Sequence, residues 1–294
     1  MYNEVMKHPR DNSTLENQTP WSSQWYERQK RLLGEATCQQ LGLYVIPADL
    51  VISVVIPFFN EAATLETLVN EVASIPIPKE IILVDDGSTD GSTEIAQKLA
   101  HELAQTQADS PDPINRSIRV VRHDINQGKG AALKTGFELA SGDILIIQDA
   151  DLEYDPQEYP GLIRPIVEHK ADVVYGSRFL CERPHQVSYF WHYIGNQILT
   201  TLSNVFTNLK LTDMETCYKV FSREAAQQIG PKLQSKRFGF EPEITARVAR
   251  GGFRVFEVPI SYSPRGLAQG KKIRWWDAVE AVWCIVKYGI FRWS

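Results

Sequence analysis

Two carboxylates one residue apart, Asp149-Ala-Asp151, close the apolar run Ile144-Leu-Ile-Ile. Such a run reads as a buried strand, and the buried parallel strands of open α/β sheets end at a ligand crevice. An unpaired buried carboxylate is costly there, so the charges need partners. A hard divalent cation shared with a phosphate is one solution, because Mg²⁺ takes one or two carboxylates, several waters and phosphate oxygens. A solvated turn is the other reading of an isolated Asp-x-Asp, and two more strand ends decide against it. The runs ending at Asn60/Glu61 and at Asp85/Asp86 bring at least four carboxylates to one sheet edge, although Asp90 and Ser92 read as ordinary helix-capping residues. At a strand tip, Asp86 is suited to accept hydrogen bonds from a nucleobase or ribose hydroxyl. Arg178, Arg265, Lys271 and Lys272, on later loops, supply charge for phosphates. Neither Gly-x-x-x-x-Gly-Lys-Ser/Thr nor Gly-x-Gly-x-x-Gly occurs, so a nucleotide here is held by acids plus metal.

The elements that position these groups alternate. Strands are expected at 51–57, 80–84, 118–121, 144–147, 171–175 and 254–258. Helices are expected after Glu61, at 92–104, 131–140 and 160–168, at roughly 191–209, up to Arg250, and at 275–291. Alternation at this spacing argues for a mostly parallel central sheet covered by helices on both faces, an α/β fold. Ile194, Ile198, Leu199, Leu202, Val205, Phe206 and Leu209 fall on one face of the long helix. The expected organisation is a partly flexible extension, 1–50, then a domain over 51–272, then an amphipathic C-terminal helix, 273–294. Within the domain, 51–155 forms a nucleotide-binding half and 156–272 an acceptor half. The last helix carries a narrow stripe of Asp277, Glu280 and Lys287. Either it packs on the body or its Trp-rich face lies in a membrane interface.

Bulk composition is that of an ordinary globular protein of 294 residues, 43% hydrophobic and 23% charged. A net charge of −5 excludes nucleic-acid binding by overall electrostatics. The balance is uneven: residues 1–236 carry 21 Lys+Arg against 31 Asp+Glu, and 237–294 carry 10 against 5. A basic final fifth suits a phosphate or a membrane surface. Cys38, Cys181, Cys217 and Cys284 form no Cys-x-x-Cys pair, as expected in a reducing compartment. With a polar N-terminus and no 18-residue apolar run, a cytoplasmic protein is expected, with contact to the inner face of a membrane left open.

Taken as an ordered set, Val54-Val-Ile-Pro-Phe-Phe-Asn-Glu61, Val84-Asp-Asp-Gly-Ser-Thr-Asp90, Asn126-x-Gly-Lys-Gly130, Asp149-Ala-Asp-Leu152 and Gly176-Ser-Arg178 resemble family 2 glycosyltransferases of the GT-A fold. Within them the match is nearest the dolichyl-phosphate mannose synthase-like group and spans about 51–272. The resemblance implies that Pro57, Phe59, Glu61, Val84 and Asp86 surround base and ribose. It implies that Asp149, Ala150 and Asp151 carry Mg²⁺ or Mn²⁺ and the diphosphate, with Glu153 where that group often has Gln. Lys129, Arg178, Arg265 and Lys271 match positions that contact the nucleotide sugar. The synthases place another Arg early in the long helix, where this chain has His192, with Asn196 one turn on in place of Ser. A His is only partly charged at neutral pH, which weakens the case for a polyprenyl-phosphate acceptor.

The implied activity is inverting transfer of a hexose from a GDP-mannose or UDP-glucose type donor to a lipid phosphate or another cell-envelope glycan acceptor. Asp151 and Arg178 would serve the leaving diphosphate. A phosphate acceptor is already anionic, whereas a hydroxyl needs a base within reach, for which Asp213 is the candidate, with a helix-capping acid as the alternative. A nucleotidyltransferase would want a glycine-rich basic signature near Pro57, which is missing. A non-catalytic sugar-nucleotide-binding subunit is the other alternative, although both metal carboxylates are present. Neither oligomeric state nor donor base follows from the sequence.

Overall fold

The computed structural model describes residues 19–109, 116–180, 190–237, 239–264 and 275–290. The chain divides into a unit of Met1–Asp49 and a unit of Leu50–Ser294. In the smaller unit, α1 (Ser23–Leu33) starts where the Ser22 hydroxyl accepts from the Trp25 amide, and Gly34 at φ +82° separates it from α2 (Glu35–Gln40). The Trp21 ring packs on Trp25 and Tyr44 at 5.2 and 5.4 Å.

The larger unit is built on seven strands. They are β1 (Ile52–Phe58), β2 (Lys79–Asp85), β3 (Arg116–Arg122), β4 (Ile144–Ile147), β5 (Val173–Ser177), β6 (Lys219–Ser222) and β7 (Val255–Pro259). Their order is β3-β2-β1-β4-β6-β5-β7, and β6 alone runs antiparallel to its neighbours. All seven residues of β1 and of β2 are buried, as strands covered on both faces must be. In register, Pro57 lies beside Val84, and Val54 lies between Ile81 and Ile146.

Helices α3 (Leu65–Ser74), α4 (Ser92–Asp109), α5 (Lys129–Leu139), α6 (Tyr159–Val167), α7 (Phe190–Thr207), α8 (Arg223–Ile229), α9 (Phe240–Gly251) and α10 (Trp275–Ile290) cover the sheet and one another. Helix α5 lies so close on β1 that a side chain at Gly136 would collide with Val55. Helix α10 packs against α7 and α9, burying Ala281, Cys284, Ile285 and Tyr288.

Two features of the structure were not decided by the sequence. β6 and α8 are not legible as elements, because four residues beginning with a lysine have too little pattern to register. The apolar stripe of α7 is only partly covered: Ile194, Leu199, Leu202, Phe206 and Leu209 are half-buried. Ile198 and Val205 are 60% and 71% exposed, while Thr200 and Ser203 are buried.

Buried acids tie loops to strands. Glu80 on β2 accepts from the Ser53 hydroxyl on β1 and from Ser141 and Gly142 in the turn before β4. Burial pushes its pKa up, but these hydrogen bonds outweigh burial and hold it below the usual carboxylate value. A depressed folded-state pKa contributes stability above the unfolded pKa and loses it as pH falls through the folded one. Glu80→Gln is therefore expected to cost about 1–3 kcal/mol at pH 7. The gap from wild type should shrink below about pH 4. Thermal melts of both proteins across that range check it, and a gap independent of pH would sink the assignment.

Candidate active site

The site grows from the end of β4. Gln148 is fully buried and accepts from the hydroxyls of Tyr159 and Tyr218 at 2.8 and 2.9 Å, which pins the strand where the acids begin. Asp149 then emerges, its amide donating to the Cys217 sulfur at 3.1 Å. The chain turns sharply: Ala150 is buried, Leu152 sits at φ +57°, and the Glu153 amide donates back to Asp151 Oδ1 at 3.2 Å. A left-handed leucine marks stored backbone strain of the kind found at functional turns. Glu153 itself is buried and accepts from the Tyr262 hydroxyl at 2.9 Å.

Across from this turn stands Lys129, the first residue of α5. Its ammonium lies 2.8 Å from Asp149 Oδ1 and 3.3 Å from Glu241 Oε1. Burial lowers the lysine's pKa, yet the charges of Asp149 and Glu241 outweigh it and raise the value well above the ordinary one. The loop before Lys129 is held by Asp86, which accepts from the amides of Gln127 and Gly128 at 2.9 and 2.7 Å and from His123 Nδ1 at 2.9 Å. Gly128 has φ +100°, and a β-carbon there would run into the Lys236 carbonyl, so only glycine serves. Asp85 is wholly buried and accepts from the Ser88 amide and the Thr93 hydroxyl. Of the four expected carboxylates, Asp149 and Asp151 are only partly buried, whereas Asp85 and Asp86 are enclosed and bound to protein.

The wall near β1 and β2 is stitched across. Asn60 accepts from the Thr89 amide, and the Glu61 amide donates to the Ser92 hydroxyl. Pro57 and Val84 lie side by side at the strand ends, and Phe59 is 44% exposed beyond them.

Arg178, just past β5, is gripped by Asp213. Nε donates to Oδ2 at 2.7 Å and an Nη to Oδ1 at 2.8 Å, and the guanidinium lies 5.1 Å from the Tyr262 ring centre. Asp213 is fully buried and also accepts from Asn196 of α7 at 3.2 Å. Both oxygens of the expected base are therefore committed to a cation. His192 is exposed on the first turn of α7. Arg265, Lys271 and Lys272 lie outside the described residues.

The structure adds groups to which the sequence reading gave no role. Glu241, at the start of α9, shares Lys129 with Asp149. Glu215 has one carboxylate oxygen closed from solvent with no hydrogen-bond partner, and its pKa is pushed up to about 8, first by burial and then by the charge of Glu241. Lys219 is buried 5.3 Å from the Tyr175 ring centre, and burial lowers its pKa. No local pattern marked these groups: the segment from Asp213 to Tyr218 contains a turn at Met214 and Glu215 and is no regular strand, so residue spacing there does not set which side chains reach the site.

The donor set fits a hard cation. Among the described residues no three His, Cys, Asp or Glu side chains gather into a cage. Two carboxylates on one tight turn suit Mg²⁺ or Mn²⁺ that takes its remaining oxygens from a diphosphate and water. Asp149 already draws a cation, the Lys129 ammonium.

Comparison with known proteins agrees with this geometry. Residues 53–230 match the model of Glycosyl transferase family 2. The chain is 30% identical over 252 residues to glycosyltransferase AglD of Haloferax volcanii, aligning 78% of itself with 38% of that longer protein. It is 30% identical over 248 residues to polyprenol monophosphomannose synthase of Mycolicibacterium smegmatis, over 81% of this chain and 86% of that one. In fold it is similar to glucosyl-3-phosphoglycerate synthase from Mycobacterium tuberculosis, solved with Mn²⁺, UDP and phosphoglyceric acid. That similarity has a TM-score of 0.61 at 18% identity and covers 95% of this chain and 86% of that one. The chain belongs to glycosyl transferase family 2, a glycosyltransferase of the GT-A fold acting on nucleotide sugars.

Proposed function

We propose that this protein is an inverting, metal-dependent hexosyltransferase that moves a sugar from a nucleotide diphosphate to a lipid phosphate. The observation that carries the reading is the Asp149–Asp151 turn with the Lys129 ammonium seated on its first carboxylate, opposite an arginine held in a fixed orientation. Asp149 and Asp151 would hold Mg²⁺ or Mn²⁺. When bound, that ion neutralises charge developing on the leaving diphosphate. Lys129 lies within reach of the same phosphates and can exchange Asp149 for one of their oxygens. The Asp213 clamp keeps the Arg178 guanidinium planar against Tyr262 and oriented towards phosphate before the substrate arrives. We assign Asp213 to this positioning role, since removing a proton from an acceptor would require it to leave its arginine. Pro57, Val84 and Phe59 line the side suited to an aromatic base. Asp86 supports the loop that carries Lys129 rather than contacting the base directly.

A lipid-phosphate acceptor needs no base, and the M. smegmatis relative is named for such a product. One observation favours a second reading, a hydroxyl of a glycan as acceptor: Glu241 is a carboxylate beside the donor site. It would serve as the base that such an acceptor requires. The sugar, the choice of GDP or UDP, and action at the cytoplasmic face of a membrane belong to the same proposal. No helix among the described residues is long and apolar enough to cross a bilayer.

Calorimetric titration with UDP and GDP, each with and without Mn²⁺, tests the donor site. Metal-dependent binding of one nucleotide is expected, and binding of neither by folded protein would favour the non-catalytic alternative. Asp151→Asn should lower transfer to polyprenyl phosphate by at least about 100-fold with an unchanged circular dichroism spectrum. Full activity in that variant would remove the metal role. Asp213→Asn breaks a buried charge pair and should destabilise the fold by about 3–5 kcal/mol. Transfer should fall while Mn²⁺-dependent nucleotide binding persists. Unaltered kinetics would show that Arg178 needs no clamp.

A further inference from the structure

Among the described residues, Glu215 stands apart from the other acids of the site. Asp86 takes two backbone amides, Asp213 takes Arg178, and Asp149 shares the Lys129 ammonium with Glu241. Glu215 Oε1, by contrast, is closed from solvent and has no hydrogen-bond partner among those residues. The two cations whose charge reaches it, Lys219 and Arg178, are committed elsewhere. Arg178 is held bidentately by Asp213, and the Lys219 ammonium donates to the Thr216 carbonyl beside the Tyr175 ring. Buried polar groups are nearly always satisfied, so an orphaned carboxyl oxygen calls for a partner that the fold does not supply.

Its position indicates the chemistry of that partner. Two residues before it, Asp213 grips Arg178; two residues after it, the Cys217 sulfur accepts from the amide of Asp149. An extended residue spans at most about 3.6 Å, so the Glu215 backbone lies within about 7 Å of both anchors. It therefore stands between the arginine and the Asp149–Asp151 turn. Glu241, the acid that shares Lys129, is near enough for its charge to act on Glu215 as well. We propose that Glu215 hydrogen-bonds to hydroxyls of the donor's hexose and so determines which sugar the protein accepts. A phosphate does not suit this position, because Asp213 and Glu241 are negative neighbours, and Lys129 and Arg178 already serve the diphosphate. A hexose hydroxyl suits it, since it both donates and accepts. Burial first, and then the charge of Glu241, push the Glu215 pKa up to about 8. The carboxyl is thus uncharged in most molecules at pH 7, and in that form it too can donate as well as accept. It is matched to a neutral polyol as the paired carboxylates around it are not.

This role rests on the nucleotide-sugar site proposed above, and binding measurements on the full chain separate the two. Wild type, Glu215→Met and Glu215→Gln are titrated by calorimetry in Mn²⁺ with UDP, UDP-glucose, UDP-galactose and UDP-N-acetylglucosamine. If guanine is the base selected, GDP, GDP-mannose and GDP-glucose take their place. Glu215→Met keeps the side chain's length and removes an acid that no protein donor engages, so its melting temperature should equal or exceed that of wild type. Its affinity for the bare nucleoside diphosphate should be unchanged. Its affinity for the nucleotide sugar that wild type prefers should fall at least about tenfold, and its preference among the sugars should flatten. Glu215→Gln, whose amide still donates and accepts, should recover most of that affinity. A lowered melting temperature or failure to fold in Glu215→Met would mark a purely structural acid and overturn the proposal. An equal loss of nucleotide and nucleotide-sugar binding would do the same, as would an unchanged sugar preference. Binding of neither nucleotide by wild type would reject the donor site itself, and the role of Glu215 with it. Normal donor binding with a sugar preference indifferent to residue 215 rejects that role alone.

Discussion

A carboxylate at the end of a buried strand cannot stay unpaired, and most of this site is assembled by satisfying that demand. Asp86 takes two backbone amides and a histidine, and so fixes the loop that delivers Lys129. Asp213 takes a guanidinium and so fixes Arg178. Glu257 on β7 accepts from the amides of Thr212 and Asp213, securing the segment from which that clamp comes. Glu243, fully buried on α9, accepts from the amides of Gln234 and Ser235 and from Arg247, and the carbonyls of Ser235 and Lys236 lie against Gly130 and Gly128. Each pairing lowers the cost of one buried charge and immobilises one loop.

The acids differ in how far protein donors engage them. Asp85, Asp86, Asp213 and Glu243 are buried and fully engaged with protein donors. Asp149 keeps part of its surface in solvent and is matched with a lysine that has a second acid, Glu241, within reach. A network in which one ammonium serves two carboxylates can rearrange when a phosphate enters. An enclosed bidentate pair such as Arg178–Asp213 cannot do so without losing both hydrogen bonds. The pre-set cation and the adjustable one therefore have different origins in the same sheet edge.

The C-terminal half adds a second constraint. Since α7 must place Asn196 beside Asp213 and Asn204 beside Leu211, these polar residues are drawn inward, and Ile198 and Val205 are left exposed while Leu199, Leu202 and Phe206 stay half-buried. Helix α10 covers part of α7 but leaves Trp283 exposed.

The sequence by itself determined the α/β architecture, since apolar runs of four to seven residues alternating with helical periodicity leave few other solutions, and it determined which strand ends carry acids. It also placed Asp149, Asp151 and Arg178 on loops that follow directly from strand ends, and Lys129 just ahead of a helix whose first residue it is. What only the tertiary structure decided is which acids are enclosed and paired with protein donors and which keep some solvent access. Asp86 and Asp213 look like exposed functional groups in one dimension, and their enclosure depends on partners 41 and 35 residues away. Glu241 and Glu215 reach the site through contacts distant in sequence, which no local pattern encodes. Which part of the α7 stripe is covered was likewise undecidable from its periodicity, because a hydrophobic stripe fixes a face and not the direction in which that face points. That direction is set by the asparagines, whose hydrogen-bond partners exist only once the sheet has formed.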